Sequence, residues 1–146
     1  MQNVIINFRR HLKRRNYSKN TVKYYLNIIK QYVIWLDVAL EEATFDKVDF
    51  YIDYLFRKRM HPASINLYLT IIRVFYDYLK HEENIDLINP VKRNRRLRAP
   101  KPLPRSLRDH EVEKLFDAIK SKRDMAMFKL MLRCGLRVEE VAHLTM

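Results

Sequence analysis

The sequence predicts an all-α protein: a four-helix bundle, an extended basic linker, and a partial helical segment beyond it. Three observations carry that expectation. The chain of 146 residues has a single glycine, Gly135, whereas strands joined by tight turns usually need several. Apolar residues recur three and four apart from Val4 to Leu79, the spacing of a helix face. Beyond Pro62, the prolines (Pro90, Pro100, Pro102 and Pro104) gather in one stretch that follows those periodic segments.

Taken in order, the first stripe is Val4, Ile5, Phe8 and Leu12. Ser18 is a suitable N-cap for a second helix, striped by Val22, Tyr25, Ile29, Tyr32, Val33 and Leu36. A third helix starts at Thr44 or Asp46 and buries Val48, Ile52 and Leu55. Ser64 is placed to cap a fourth, whose Ile65, Leu69, Ile72, Phe75, Tyr76 and Leu79 make one face. Four amphipathic helices with short connections predict a compact bundle over 1–88. Residues 89–105, NPVKRNRRLRAPKPLPR, lack backbone donors at their prolines and are disfavoured from helix just before them. That stretch is expected to be an extended linker.

A second unit begins at Ser106, which stands at capping distance from Asp109. Val112, Leu115, Phe116 and Ile119 form its first stripe. After Arg123 the segment DMAMFKLMLRCGLR is apolar almost all round, as in a buried central helix, and Gly135 is placed to end it with positive φ. Val138, Val141 and Leu144 make a last short helix. Residues 106–146 are too few to cover such a helix on all sides. The sequence is therefore expected to stop inside a domain, with disorder beyond about residue 106 or pairing between chains.

Charge is the first functional clue. Lysine and arginine outnumber aspartate and glutamate by 29 to 17, a net of +12 that points to a polyanionic partner. Residues 92–108 hold 8 basic side chains and no acidic one, so two-thirds of the surplus lies in one short segment. No sustained apolar run long enough for a membrane span occurs, and the start of the chain lacks the pattern of a signal peptide. Cys134, the single cysteine, makes a reducing, cytoplasmic setting the default and is expected to be a small buried residue. With no activating histidine or acid at the right spacing, thiol catalysis is not expected. Five scattered histidines lack metal-ligand spacing, so no metal is expected either.

Candidate DNA contacts follow from the polar faces. On the second helix, Lys19, Asn20, Lys23, Asn27 and Lys30 lie away from the apolar stripe; on the fourth, Asn66, Thr70 and Arg73 do. Such side chains suit phosphate and base-edge contacts, though a solvated helix face has the same composition. In the linker, Lys92, Arg93, Arg95, Arg96, Arg98, Lys101 and Arg105 are spaced to follow a phosphate backbone and release counterions.

Several segments, in order, carry a family resemblance. Gly135-Leu136-Arg137-Val138-Glu139-Glu140-Val141, with Leu144 beyond, resembles the first catalytic box of the tyrosine recombinases, the phage-integrase and Xer-type family; Cys134 stands where a threonine is common. Tyr17-Ser18-Lys19-Asn20-Thr21 resembles the start of the family's second helix. Phe75 to Leu79 followed by Asn89-Pro90 resembles the end of its SAM-like core-binding domain. Leu103 to Leu107 followed by Glu111-Val112 resembles the start of its catalytic domain.

The resemblance implies DNA strand transfer through a 3′-phosphotyrosine link, without metal or nucleotide cofactor. It implies double-stranded DNA and other recombinase protomers as partners, in integration, excision or dimer resolution. By the same match Arg137 is the first of two phosphate-binding arginines and Glu140 a supporting residue that holds it. The family's lysine, its His-x-x-Arg box and its nucleophilic tyrosine all follow that arginine. All nine tyrosines here precede Arg137, so a chain of these residues alone is expected to be inactive. The rival readings are a stand-alone DNA-binding module or regulator, and, more distantly, a helical RNA-binding or helix-turn-helix protein.

Overall fold

The computed structural model describes residues 2–100 and 106–144. Among these are seven α-helices and no strand, the all-α class that the periodicity predicts. The chain divides into two compact units, Met1–Lys101 and Pro102–Met146.

The first unit holds α1 (Gln2–Arg14), α2 (Lys19–Leu36), a 3-10 turn (Leu40–Glu42), α3 (Phe45–Arg57) and α4 (Pro62–His81). Packing runs from α4 to α2 and α3, and from α2 to α1. Phe8 of α1 also meets Phe75 of α4 edge to face, with ring centroids 5.0 Å apart. The predicted stripes supply most of the core: Phe8, Leu12, Val22, Ile29, Tyr32, Leu36, Val48, Ile52, Leu55 and all six positions of α4. Ile28, Tyr51, Ile71 and Tyr78 are buried as well, outside any single stripe. A helix covered by two neighbours buries a wider arc than one apolar stripe marks. Each such side chain contributes about 1.5–3 kcal/mol by leaving water.

Polar atoms inside this core find partners. The Tyr76 hydroxyl donates to the Leu40 carbonyl at 3.2 Å and lies 3.4 Å from the Tyr32 hydroxyl. Burial holds the phenols of Tyr32, Tyr51 and Tyr76 above the ordinary tyrosine value of 10.0.

Helix starts follow side-chain caps. Ser18 accepts the Thr21 N–H at 3.1 Å, and Thr44 accepts that of Lys47 at 3.3 Å. Ser18→Ala is expected to cost about 1 kcal/mol, read as a lower urea midpoint with unchanged slope; an unmoved midpoint would mean that water replaces the cap. The start of α4 differs from expectation. Its N-cap is His61, not Ser64, with the ring Nδ1 accepting the Ala63 N–H at 3.2 Å. Pro62 accounts for the difference: its fixed φ and missing donor suit the first helical position, so the helix begins three residues early.

Helix ends share another device. Asn16, Asp37, Arg59 and Asn84 follow α1, α2, α3 and α4 with φ of 59, 52, 57 and 53°, the left-handed region usually left to glycine. Behind α1, Tyr17 N–H reaches the Leu12 carbonyl at 3.2 Å; behind α3, Met60 N–H reaches that of Leu55 at 3.1 Å. Both bonds close the last helical turn in the same way.

Residues 89–100 contain no helix, as their prolines predict. They do not stand clear of the bundle, however. Val91 is buried in the core, and Leu97 packs against it.

The second unit contains α5 (Asp109–Ala118), α6 (Lys122–Cys134) and α7 (Val138–Ala142). Where the sequence leads one to expect disorder as one of two outcomes, the structure has three helices. The cap of α5 is Arg108, whose N–H donates to Glu111 at 2.8 Å, in place of the Ser106–Asp109 arrangement. Glutamate reaches back to the cap where the shorter aspartate does not. Gly135 ends α6 with φ 68° as predicted. No side chain of α5 or α6 is buried, and Phe128 and Leu132 are exposed, unlike the buried central helix that the apolar pattern of α6 predicts. Cys134, expected to be buried, is exposed as well.

Candidate nucleic-acid interface

The polar face of α4 arises because its apolar residues fill the opposite arc, leaving Asn66, Thr70, Arg73 and Asp77 in one row. Over this row runs the segment after Pro90. Asn89 opens it, donating to the Arg73 carbonyl at 2.9 Å and to Asp77 at 2.7 Å, while its own side-chain oxygen accepts the Val91 N–H at 3.0 Å. Arg73 donates from its guanidinium to the Arg93 carbonyl at 3.4 Å. Farther along, the Asn66 carboxamide donates to the Leu97 carbonyl at 2.9 Å and accepts the Leu97 N–H at 2.8 Å. The segment is thus a strap tied to one helix at three points.

Between strap and helix lies an open cleft of about 490 Å³, lined by Ala63, Asn66, Leu67, Thr70, Arg73, Arg93, Arg95 and Arg96. Four guanidinium groups therefore share one concavity. Arg95 pairs with Asp49 of α3. Arg73, Arg93 and Arg96 have no carboxylate partner among the described residues. So concentrated a positive field, with paired donors, suits phosphate oxygens.

A second basic cleft of about 390 Å³ lies between α1 and α2, lined by Arg9, Lys13, Lys19, Val22, Lys23 and Leu26. It joins two predicted residues, Lys19 and Lys23, to two that the sequence reading missed. Arg9 and Lys13 sit four apart, each directly after a core residue, Phe8 and Leu12; that adjacency was the available signal. Asn20, Asn27 and Lys30 are exposed on α2. On the side toward α4, Gln31 accepts the Tyr68 hydroxyl at 3.4 Å.

The remaining predicted residues fall as follows. Thr70 donates its hydroxyl to the Asn66 carbonyl at 2.9 Å, and its side chain stays exposed. Lys92 lies over the Phe45 ring, 4.5 Å from the centroid. Arg98 is exposed just past the Asn66 tie. Lys101 and Arg105 lie outside the described residues.

Arg137 and Glu140 meet within the second unit. Arg137 is the N-cap of α7; its backbone N–H donates to Glu140 at 2.7 Å and its guanidinium to the other carboxylate oxygen at 3.3 Å. One carboxylate therefore sets both the backbone and the side chain of the arginine. The guanidinium remains largely solvent-facing, 84% exposed, so most of its donors are free for another anion.

Among the described residues no group of His, Cys, Asp and Glu is placed to hold a metal ion, and no helix is long and apolar enough to cross a membrane.

Comparison with known proteins adds to this geometry. Residues 5–86 match the family described as Phage integrase, N-terminal SAM-like domain. The chain is 29% identical over 151 aligned positions to a tyrosine recombinase of Pseudothermotoga lettingae, covering 99% of this chain and 52% of that protein. It is 31% identical over 139 positions to tyrosine recombinase XerC of Staphylococcus aureus, covering 89% and 46%. Among solved structures, the integrase of mycobacterium phage Brujita superposes with a TM-score of 0.57 at 22% identity, over 93% of this chain and 46% of that one. XerA recombinase does so with 0.54 at 23% identity, over 95% and 48%. These two share the fold. The chain spans about half the length of the curated relatives it matches.

Proposed function

Since this chain belongs to the family of phage integrase N-terminal SAM-like domains, we propose that it binds duplex DNA as the DNA-binding portion of a tyrosine recombinase. The observation that carries this reading is the cleft in which Arg73, Arg93, Arg95 and Arg96 converge beside the α4 polar face. A phosphate backbone laid along it meets three guanidiniums with no competing carboxylate. The α1–α2 cleft, with Arg9, Lys13, Lys19 and Lys23, extends the basic surface and takes a further stretch of backbone. Sequence preference then rests on the exposed Asn20 and Asn27 and on Thr70, the neutral side chains able to address base edges.

In this reading residues 1–88 are the core-binding domain, 89–105 the basic connection with Lys101 and Arg105 as further phosphate contacts, and 106–146 part of the catalytic domain. Arg137 is the first arginine of a phosphoryl-transfer site. Its guanidinium offers paired donors to the oxygens that gain negative charge in the transition state. Glu140 holds it in place, as the two bonds between them allow. The family's nucleophile lies after this arginine, and all nine tyrosines of these residues lie before it. A polypeptide of these residues alone binds DNA without cutting it. Other protomers on the same DNA are its partners.

Fluorescence anisotropy on a random-sequence duplex, titrated with salt, tests the reading. A log–log slope of about −4 or steeper, corresponding to several phosphates, is expected. Absence of binding at low salt sinks it.

A further inference from the structure

Asn66 is one of the polar residues that the sequence offers as a DNA contact, yet both ends of its carboxamide are already engaged. Its nitrogen donates to the Leu97 carbonyl at 2.9 Å and its oxygen accepts the Leu97 N–H at 2.8 Å. This is the pairing that one strand residue makes with another, supplied here by a side chain of α4 to a segment 31 residues on. The side chain is half-buried, so water competes poorly for the same groups. We infer that Asn66 is a positioning residue: by clasping Leu97 it holds the strap across α4 and so fixes Arg93, Arg95 and Arg96 over the cleft before any nucleic acid arrives. The inference rests on the reading that this cleft binds DNA phosphate.

Physical reasons favour the clasp as the decisive tie. Asn89 and the buried Val91 secure the strap at its beginning, and Arg95 pairs with Asp49 of α3 part-way along. Between Val91 and Leu97 the chain has only one backbone partner from the bundle, the single bond from Arg73 to the Arg93 carbonyl at 3.4 Å. Without the clasp at its far end, the chain from Arg96 onward lies beyond the last of these ties, the Arg95–Asp49 pair between two exposed side chains. Arg73, Arg93 and Arg96, brought together without a carboxylate partner among the described residues, repel one another, and an untied strap relieves that by spreading outward. Holding them together in the free protein means that binding does not have to order them, which raises affinity without adding a contact.

Two readouts separate this role from a direct contact. In the free chain, the Leu97 amide is expected to exchange slowly with solvent, and Asn66→Ala to bring its exchange, and the mobility of 93–98, to that of an exposed segment. On random-sequence duplex, Asn66→Ala is expected to bind about tenfold more weakly with an unchanged salt slope, since every arginine is still present. Arg96→Gln, by contrast, lowers the slope by about 1. If Leu97 exchanges freely in the wild-type chain, or if Asn66→Ala binds DNA as well as wild type does, the clasp is not what positions the strap. Loss of affinity for some duplex sequences only, with the strap still ordered in the free variant, would make Asn66 a base contact instead. Failure of the wild-type chain to bind any duplex would overturn the DNA reading and with it this role, while the exchange data would still report on the clasp itself. Should Asn66→Ala unfold, Asn66→Asp carries the exchange measurement: it keeps the acceptor for Leu97 N–H and loses the donor, so partial protection of Leu97 with a looser strap is expected, and full protection with an unchanged strap overturns the inference.

Discussion

Replacing Arg73, Arg93, Arg95 and Arg96 together by glutamine is expected to weaken duplex binding about a hundredfold or more near 0.15 M salt and to flatten the salt slope by about 3. The size follows from counterion release. Each phosphate neutralised contributes a slope of about 0.9, which near 0.15 M salt amounts to about 0.7 log units of affinity. Three such contacts, those of the arginines without a carboxylate partner among the described residues, give about two log units. Glutamine keeps most of the stem that packs along the strap, and the four positions are exposed or half-buried, so the bundle itself should stand. An unchanged helical circular dichroism spectrum and thermal midpoint are the control. A variant that binds with the wild-type slope would show that the backbone of DNA lies elsewhere, with the α1–α2 cleft of Arg9, Lys13, Lys19 and Lys23 the next surface to neutralise.

Raising the pH should unfold the first unit cooperatively, beginning above about pH 10. Tyr32, Tyr51 and Tyr76 are buried, and desolvation is the largest cause of the raised pKa of each. Neighbouring phenols add to it at Tyr51, those of Tyr68, Tyr54 and Tyr32. In the unfolded chain these groups lose their protons near 10; in the fold they keep them to higher pH. The folded state thus binds more protons across that interval. Its stability from these groups is complete below about pH 10 and declines as pH rises toward the folded-state values. Three such groups act on a domain whose whole stability is expected to be about 5–15 kcal/mol. Helical signal and tyrosinate absorbance are expected to change in one step. Tyr51→Phe, which removes one ionising group without taking away a hydrogen bond found among the described residues, should move the transition to higher pH. A midpoint that stays in place would leave alkaline unfolding to Tyr32 and Tyr76 and remove Tyr51 from it.

Much of this architecture was legible in the sequence because helix faces and caps are local. Ser18 and Thr44 cap the helices they precede, and Gly135 adopts the positive φ that its position demanded. The misreadings were also local, where two signals competed. Pro62 outweighed Ser64 at the start of α4, and Glu111 reached Arg108 where Asp109 had been paired with Ser106. What pattern alone did not reveal is long-range. The tie between Asn66 and Leu97, and that between Arg95 and Asp49, join residues 31 and 46 apart, and no periodicity links them. Hence the basic stretch read as a tether, and Asn66 as a free polar side chain. Arg9 and Lys13 each follow a core residue of α1, Phe8 and Leu12, but that adjacency alone does not say which neighbouring helix the cation lies beside.

The left-handed helix ends have a consequence for how this fold can be improved. A residue with a side chain held in that conformation stores about 1 kcal/mol or more of local strain, less for asparagine and aspartate, whose short polar groups bond nearby. Glycine relieves the strain but enlarges the ensemble of unfolded conformations, so at Asn16, Asp37 and Asn84 the exchange is close to even. Arg59 is the exception: its long side chain offers no such local relief, and it follows Arg57 and Lys58 in the bend before α4. There the chain keeps a third consecutive cation where backbone ease alone would place a glycine. An engineer seeking a hardier version of this domain would find the gain at Arg59 and would lose positive charge in taking it.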